Sequence, residues 1–238
     1  MIPSVSLGCI SFWAGDALGE IGRPRSRAAH DAVLKAALRL VTKRGFRSVS
    51  VNEIAAEAGV GKMTLYRHWP NKAALVMDAL LVLIGSETDF PETGSALESL
   101  RQQLDLQAAF FRSSRGNLIR SLVAEAQTDP ELATAFRERW LNPRREGVRT
   151  IMMAAISEGS LRSGIDIDTA IDLLYGSLYY RLLLGSGAID KQFVDLAYRQ
   201  FLEGHAALPL PRLPHPVRSK RGLRKPLVVT DDKPTYRS

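Results

Sequence analysis

The 238-residue sequence predicts an all-α protein, with an N-terminal three-helix head joined to a larger C-terminal helical domain. Three observations predict it. Between Val49 and Lys72 a capping signature, a glycine turn and a second apolar stripe follow one another at helix-turn-helix spacing. From Gly85 to Ser95 the chain reads GSETDFPETGS, a run of turn residues that separates two units. Beyond it, apolar residues recur at three- and four-residue intervals, the period of helices that bury one face.

The first 22 residues show no sustained periodicity and read as a flexible leader. A first helix over Arg27 to Arg44 turns Val33, Ala37, Leu40 and Val41 inward and ends at Gly45, with Phe46 as a plug for the small head core. Ser50 and Glu53 then have the S-x-x-E spacing in which a hydroxyl and a carboxylate cap each other's backbone amides, and Val49 and Ile54 are placed as a hydrophobic staple. The second helix therefore begins near Val51, buries Ile54 and Ala58, and stops at Gly59, which takes a left-handed conformation at little cost. The third, Lys62 to Trp69, sets Leu65 and Trp69 on one face by their i, i+4 spacing. Asn71 caps the next helix, leaving Lys72 in its first turn.

The outward face of that third helix carries a distinctive chemistry. At about 100° per residue from Leu65, Met63 and Arg67 point away from the core, flanked by Thr64 and Tyr66. Arginine forks onto guanine or clamps phosphate, the hydroxyls bond phosphate oxygens, and methionine or a threonine methyl touches the thymine methyl. Gly22-Arg23-Pro24-Arg25, ahead of the first helix, is either a basic arm for a minor groove or a solvated lead-in. Lys72 is either a phosphate contact or an ordinary surface charge.

From about Arg27 to Leu80 the chain resembles the DNA-binding domain of the tetracycline-repressor (TetR) family, whose members are mostly homodimeric, ligand-responsive transcriptional regulators. The likeness rests on AAHDAVLKAALRLVTKRGF followed in order by SVNEIAAEAGVGKMTLYRHWPNKAAL, with T-L-Y-R-H and N-K the most typical parts. Trp69 departs slightly, since phenylalanine is commoner there. The resemblance implies that Ser50, Asn52, Lys62, Met63, Thr64, Tyr66, Arg67, His68 and Lys72 contact DNA. Met63 and Arg67, with Asn52 reaching from the preceding helix, would meet base edges, and the others would hold the backbone.

Charge follows the same division. Residues 23–72 hold 11 Lys/Arg against 3 Asp/Glu, whereas residues 73–208 hold 13 against 18, and residues 209–238 hold 8 against 2. An acidic middle between basic ends favours phosphate only at those ends. The 45% hydrophobic content argues against wholesale disorder, and Cys9, the single cysteine, forms no intrachain disulfide. No basic n-region opens the chain, and no apolar run reaches the roughly 18 residues of a membrane span. A cytoplasmic protein is expected.

The helix after Asn71 continues through Leu75, Met77, Leu80, Leu81 and Ile84, joining head to body as a natural lever. Further helices are predicted over Leu97 to Phe111 and Leu118 to Ala126. Another starts at Asp129-Pro130, is restarted or kinked at Pro143, and continues through Val148 to Ile156. Gly159 and Gly164 close that section. The last two, Asp168 to Leu184 and Lys191 to Glu203, are separated by Gly185-Ser186-Gly187.

In the family the last two helices commonly form an intersubunit four-helix bundle. The resemblance therefore assigns a dimer interface to Ile171, Leu174, Tyr175, Leu178, Leu182, Phe193, Ala197 and Phe201; packing within one subunit is the alternative. LVAEAQTDPELATAFRERW and LYYRLLLG are similar to the regulatory domains of one TetR subgroup. Adaptable aromatic and thioether lining for a small molecule is offered by Phe110, Phe111, Trp140, Met152, Met153, Tyr179 and Tyr180, and Arg120 or Arg181 would hold an anion, although each also suits an ordinary core. The organisation expected is a leader (1–22), a helix-turn-helix domain (23–72), a regulatory and dimerisation domain (73–206) and a proline-rich basic tail (207–238), which is either a nonspecific DNA contact or a solvated spacer.

No histidine lies beside a nucleophile motif or at metal-ligand spacing, and capping explains Asp166 and Asp168 at a helix start. An enzyme is not expected, nor is a cofactor. The expected partners are an operator DNA duplex, a second copy of the chain and a small-molecule effector. The expectation is a repressor released from a palindromic operator by that effector; an effector-dependent activator or a constitutive DNA-organising protein remain the alternatives.

Overall fold

The computed structural model describes residues 24–85, 90–91 and 93–207. The expected leader and all of the basic tail beyond Ala207 lie outside these residues. Among the described residues the chain is helical, with one isolated antiparallel bridge between Leu161 and Ala206.

Helix α1 (Pro24–Arg44) starts three residues earlier than the sequence predicts, so Pro24 and Arg25 lie in its first turn, while Gly22 and Arg23 of the expected basic arm or lead-in lie outside the described residues. It buries Val33, Leu34, Ala36, Ala37 and Val41, while Leu40 is only half-buried. Phe46 fills the head core, as expected. Helix α2 (Val51–Ala58) begins with a complete capping box and ends at Gly59, whose φ of 67° is the left-handed value that a Cβ would disfavour. Helix α3 is short (Lys62–His68) and ends at Trp69, which is extended rather than helical.

Helix α4 (Lys72–Ile84), capped by Asn71, is shared between the two parts of the molecule. It packs on α1 of the head along one side and on the body along another, which is why nearly all its faces are buried. The body adds α5 (Ala96–Arg112), α6 (Ser114–Ala126) and α7 (Pro130–Phe136), the last with Asp129 as cap and proline in the first turn. A π-helical segment (Arg137–Leu141) runs without a break into α8 (Asn142–Ser157).

Pro143 therefore does not restart the helix. It lacks an amide proton and its ring would press on the carbonyl four residues back. The chain widens by one residue just before it, and the Asn142 amide bonds the Arg137 carbonyl, five residues back. Gly147 on α8 makes a different accommodation: a Cβ there would sit 2.5 Å from the Phe90 ring.

Helices α9 (Ile167–Leu184) and α10 (Lys191–His205) complete the body. Asp166 caps α9, but Asp168 does not share that task; it pairs with Arg145 and Arg149 of α8. The inner face of α9 packs on α5, α6 and α8, and α10 covers α5 beside it. No helix among the described residues is long and apolar enough to cross a membrane.

Candidate nucleic-acid interface and internal cavity

The head presents α3 by burying one side of it. Leu65 and Trp69 are 1% and 4% exposed, whereas Met63 is 80% exposed and Arg67, Lys62, His68 and Asn52 also face solvent. Thr64 is half-buried and Tyr66 is exposed, with the Lys62 ammonium 5.6 Å from its ring one turn away. A thioether of that size left in water, one turn from a guanidinium, is the unusual feature of this surface.

Two expected contacts, Ser50 and Lys72, have internal hydrogen-bond partners. The Ser50 hydroxyl accepts from the Glu53 amide and donates to its carboxylate, while the Ser50 amide donates to the same carboxylate. That amide bond, together with the Arg44 guanidinium, holds the Glu53 carboxyl down to about 2. The Lys72 ammonium donates to the carbonyls of Phe46 (2.8 Å) and Val49 (2.9 Å) and lies 4.1 Å from the Phe46 ring. Burial lowers its pKa. Lys72 thus ties down the loop entering α2, a role invisible in local sequence because its partners stand more than twenty positions away.

His68 is held below the ordinary histidine range by partial burial, then by Arg67 and His30. His30 in turn stacks on Trp69 with ring centres 4.9 Å apart. The neutral form of His68 is therefore favoured at neutral pH.

Two bridges hold the head to the body. The Trp69 indole nitrogen donates to Asp78 of α4 at 2.8 Å, and the same carboxylate pairs with Arg139 of the π segment. On the other side, Arg47 pairs with Glu125 at 2.6 Å and donates to Thr128, at the end of α6.

Between α5, α6, α7, α8 and α9 lies a cavity of about 380 Å³. Its wall is apolar at Phe136, Val148 and Ile171, with Gln103, Gln107, Tyr175 and Tyr179 as polar points and Arg137, Arg144 and Arg145 also on the lining. Arg145 is engaged by Asp168 and Asp172. Arg144 lies over the Trp140 ring, and the Trp140 indole donates to the Tyr179 hydroxyl at 2.8 Å.

Of the residues expected at a small-molecule site, only Tyr179 lines this cavity. Phe110, Phe111, Trp140 and Met152 are buried core. Met153 and Tyr180 face solvent, each one residue, or about 100° of helix, from an inward neighbour. Arg120 is exposed and bonds Asn117, and Arg181 bonds the Ala188 carbonyl and lies over Phe193.

The expected dimer residues are also displaced. Ile171, Leu174, Leu178, Leu182 and Phe201 are buried within the single chain, and Ile171 and Tyr175 line the cavity. Phe193, Ala197 and Tyr175 are only partly covered. The apolar side chains that α9 and α10 leave in solvent are Leu173, Tyr180, Leu183, Leu184 and Leu196.

A capped helix-turn-helix on an all-helical body agrees with the family comparison. Residues 33–79 match the model of bacterial regulatory proteins of the tetR family, and residues 90–200 match the tetracyclin repressor-like C-terminal domain. The chain belongs to the TetR family of transcriptional regulators. It is 37% identical over 181 residues to the uncharacterized HTH-type transcriptional regulator YdeS of Bacillus subtilis, covering 76% of this chain and 91% of that protein. It is 28% identical over 177 residues to the DNA-binding transcriptional repressor TetR of Mycobacteroides abscessus, covering 73% and 90%. The solved TetR family transcription regulator SCO0332 superposes with a TM-score of 0.63 at 31% identity, over 74% of this chain and 97% of that one. The family's division into a DNA-binding head and a helical regulatory domain is thus present here.

Proposed function

We propose that this regulator is a homodimeric repressor that sits on a palindromic operator and leaves it when a small molecule fills the cavity between α5 and α9. The exposed Met63–Arg67 face of α3, held out by buried Leu65 and Trp69, carries the DNA-reading part. Met63 and Arg67 read base edges, with Asn52 reaching from α2. Lys62, Thr64, Tyr66 and His68 bond the phosphate backbone, and Ser50 and Lys72 act mainly by fixing the loop and cap that aim α2 and α3. The chain works by binding rather than turnover, in the cytoplasm.

One short helix reads only a few base pairs, so a second copy supplies the other half-site, a multiple of roughly 34 Å away. Leu173, Tyr180 and Leu184 follow one another at seven- and four-residue spacing and so share a face of α9, which together with Leu196 of α10 supports an intersubunit contact. This face replaces the inner stripe that the sequence suggested.

Coupling between cavity and head runs through short connections. Arg137 and Leu141 touch the cavity from the π segment that also carries Arg139, the partner of Asp78. Ala126 and Gln127 touch it at the end of α6, beside Glu125, the partner of Arg47. A ligand that fits one spacing of these elements better than another shifts the heads toward it.

A mobility-shift titration on the chain's own upstream DNA, with and without a panel of small molecules, tests the reading. Selective binding that a compound abolishes supports it, whereas broad binding indifferent to every compound would support a DNA-organising protein. A reporter fused to the same DNA separates repression from activation.

A further inference from the structure

We infer that the cavity selects an uncharged, largely apolar molecule carrying a carbonyl oxygen, and that the Gln107 side-chain amide is the donor that recognises it. The inference rests on the reading of this cavity as the effector site.

Gln107 lies in the middle of α5, is 2% exposed and lines the cavity. Its amide nitrogen Nε2 is buried with no hydrogen-bond partner among the described residues. A buried N–H left unmade is costly, so native interiors satisfy such groups with few exceptions. Its neighbour one turn earlier shows the contrast: Gln103, equally buried, accepts a hydrogen bond from the Tyr175 hydroxyl. Of two glutamines on one wall, one is matched within the fold and the other offers its donor to the cavity.

The surroundings define what takes that donor. Gln103, Gln107, Tyr175 and Tyr179 are neutral polar points on a wall that also carries Gln127, Asp172 and three arginines, and burial drives both phenol pKa values up, keeping Tyr175 and Tyr179 protonated. Arg145 is engaged by Asp168 and Asp172, Arg144 lies over the Trp140 ring and donates to the Trp140 carbonyl, and Arg137 is exposed, donating to Thr134. A carboxylate beside Gln107 would lose its hydration while the arginines of the wall keep partners of their own, which is expensive, whereas a ketone, ester or amide carbonyl needs just one good donor. Phe136, Val148 and Ile171 take the apolar remainder. The volume of about 380 Å³ lies in the lower part of the range for small-molecule pockets.

Three probes of nearly identical shape separate these contributions. Acetylnaphthalene carries the carbonyl, isopropenylnaphthalene replaces its oxygen by carbon, and naphthoate replaces the methyl by a charged oxygen. Calorimetric titration of the full chain should show acetylnaphthalene binding roughly tenfold more tightly than isopropenylnaphthalene, the effect of one buried hydrogen bond, with naphthoate weaker than the ketone. Gln107→Leu, which removes the unmatched amide and should fold at least as stably, should erase the ketone's advantage while leaving isopropenylnaphthalene binding within twofold. Equal binding of ketone and hydrocarbon in the wild type, tighter binding of naphthoate, absence of binding by all three, or a ketone preference that survives Gln107→Leu overturns the inference.

The same compounds in the mobility-shift titration keep the two proposals apart. A Gln107-dependent ketone preference without release of DNA leaves the ligand class standing and removes the ligand-released repressor. Release of DNA by naphthoate but not by the ketone does the reverse.

Discussion

Asp78 of α4 accepts a hydrogen bond from the Trp69 indole nitrogen at 2.8 Å, so the residue that ends α3 is anchored to the helix shared with the body. Because Asp78 also pairs with Arg139, both carboxylate oxygens are in use. Asp78→Ala is expected to destabilise the chain by about 1–3 kcal/mol, since it strands the buried indole donor and removes a partly buried ion pair. Urea denaturation measures this. A double-mutant cycle with Arg139→Met should return a coupling energy well above zero.

The outward face of α3 yields a contrast between neighbours. Arg67→Ala is expected to weaken operator binding by about 1–3 kcal/mol and to relax preference at the base it reads. His68→Gln, which replaces a group held below the ordinary histidine range and hence neutral at pH 7, should leave the salt dependence of binding unchanged at that pH. Binding measured at several salt concentrations on operator and scrambled DNA checks both, and equal selectivity in wild type and Arg67→Ala defeats the base-reading role.

Lys72 offers a stability test. Lys72→Met keeps most of the stem over Phe46 but removes the donors to the Phe46 and Val49 carbonyls. A loss of about 1–2 kcal/mol in unfolding free energy is expected, with DNA affinity falling through the loop rather than through charge. A salt slope lowered by a full phosphate contact would instead make Lys72 a direct DNA ligand.

The Glu53 cap carries a pH dependence. Its carboxyl is held at about 2 against an ordinary 4.5, so the folded state binds this proton less readily than the unfolded one. The stabilisation is present above 4.5 and is lost as pH falls from there toward 2. Amide exchange in α2 should rise over that window, and Glu53→Gln should flatten this component.

The exposed face of α9 predicts an asymmetry between adjacent stripes. Tyr180→Arg or Leu184→Arg should give a folded monomer, seen as halved mass in sedimentation and weakened operator binding. Leu178→Arg, on the fully buried stripe, should unfold the chain instead.

Local chemistry made much of the fold readable. The Ser50–Glu53 box, the Gly59 stop, the Asn71 and Asp129 caps and the Leu65–Trp69 stripe each involve residues within four positions, and each stands as expected. The interior of the body was less readable because α9 is apolar on most of its circumference: Tyr179 and Tyr180, or Leu182 and Leu183, look alike until the neighbouring helices choose a side. Nothing local in the sequence marks Gln103 and Gln107 as cavity wall. The Lys72 and Arg47 contacts join distant parts of the chain and leave no trace in spacing.

The π segment settles a question of phase. Phe136 and Val148 both line the cavity, yet they stand twelve positions apart, and a regular α-helix would rotate them about 120° out of register. Arg137–Leu141 absorbs one residue in a wider turn, leaving the equivalent of eleven α-helical steps and a mismatch of only about 20°. The widening next to Pro143 therefore acts as a phase corrector, letting a helix that begins against α4 finish with its inner face on the same hollow.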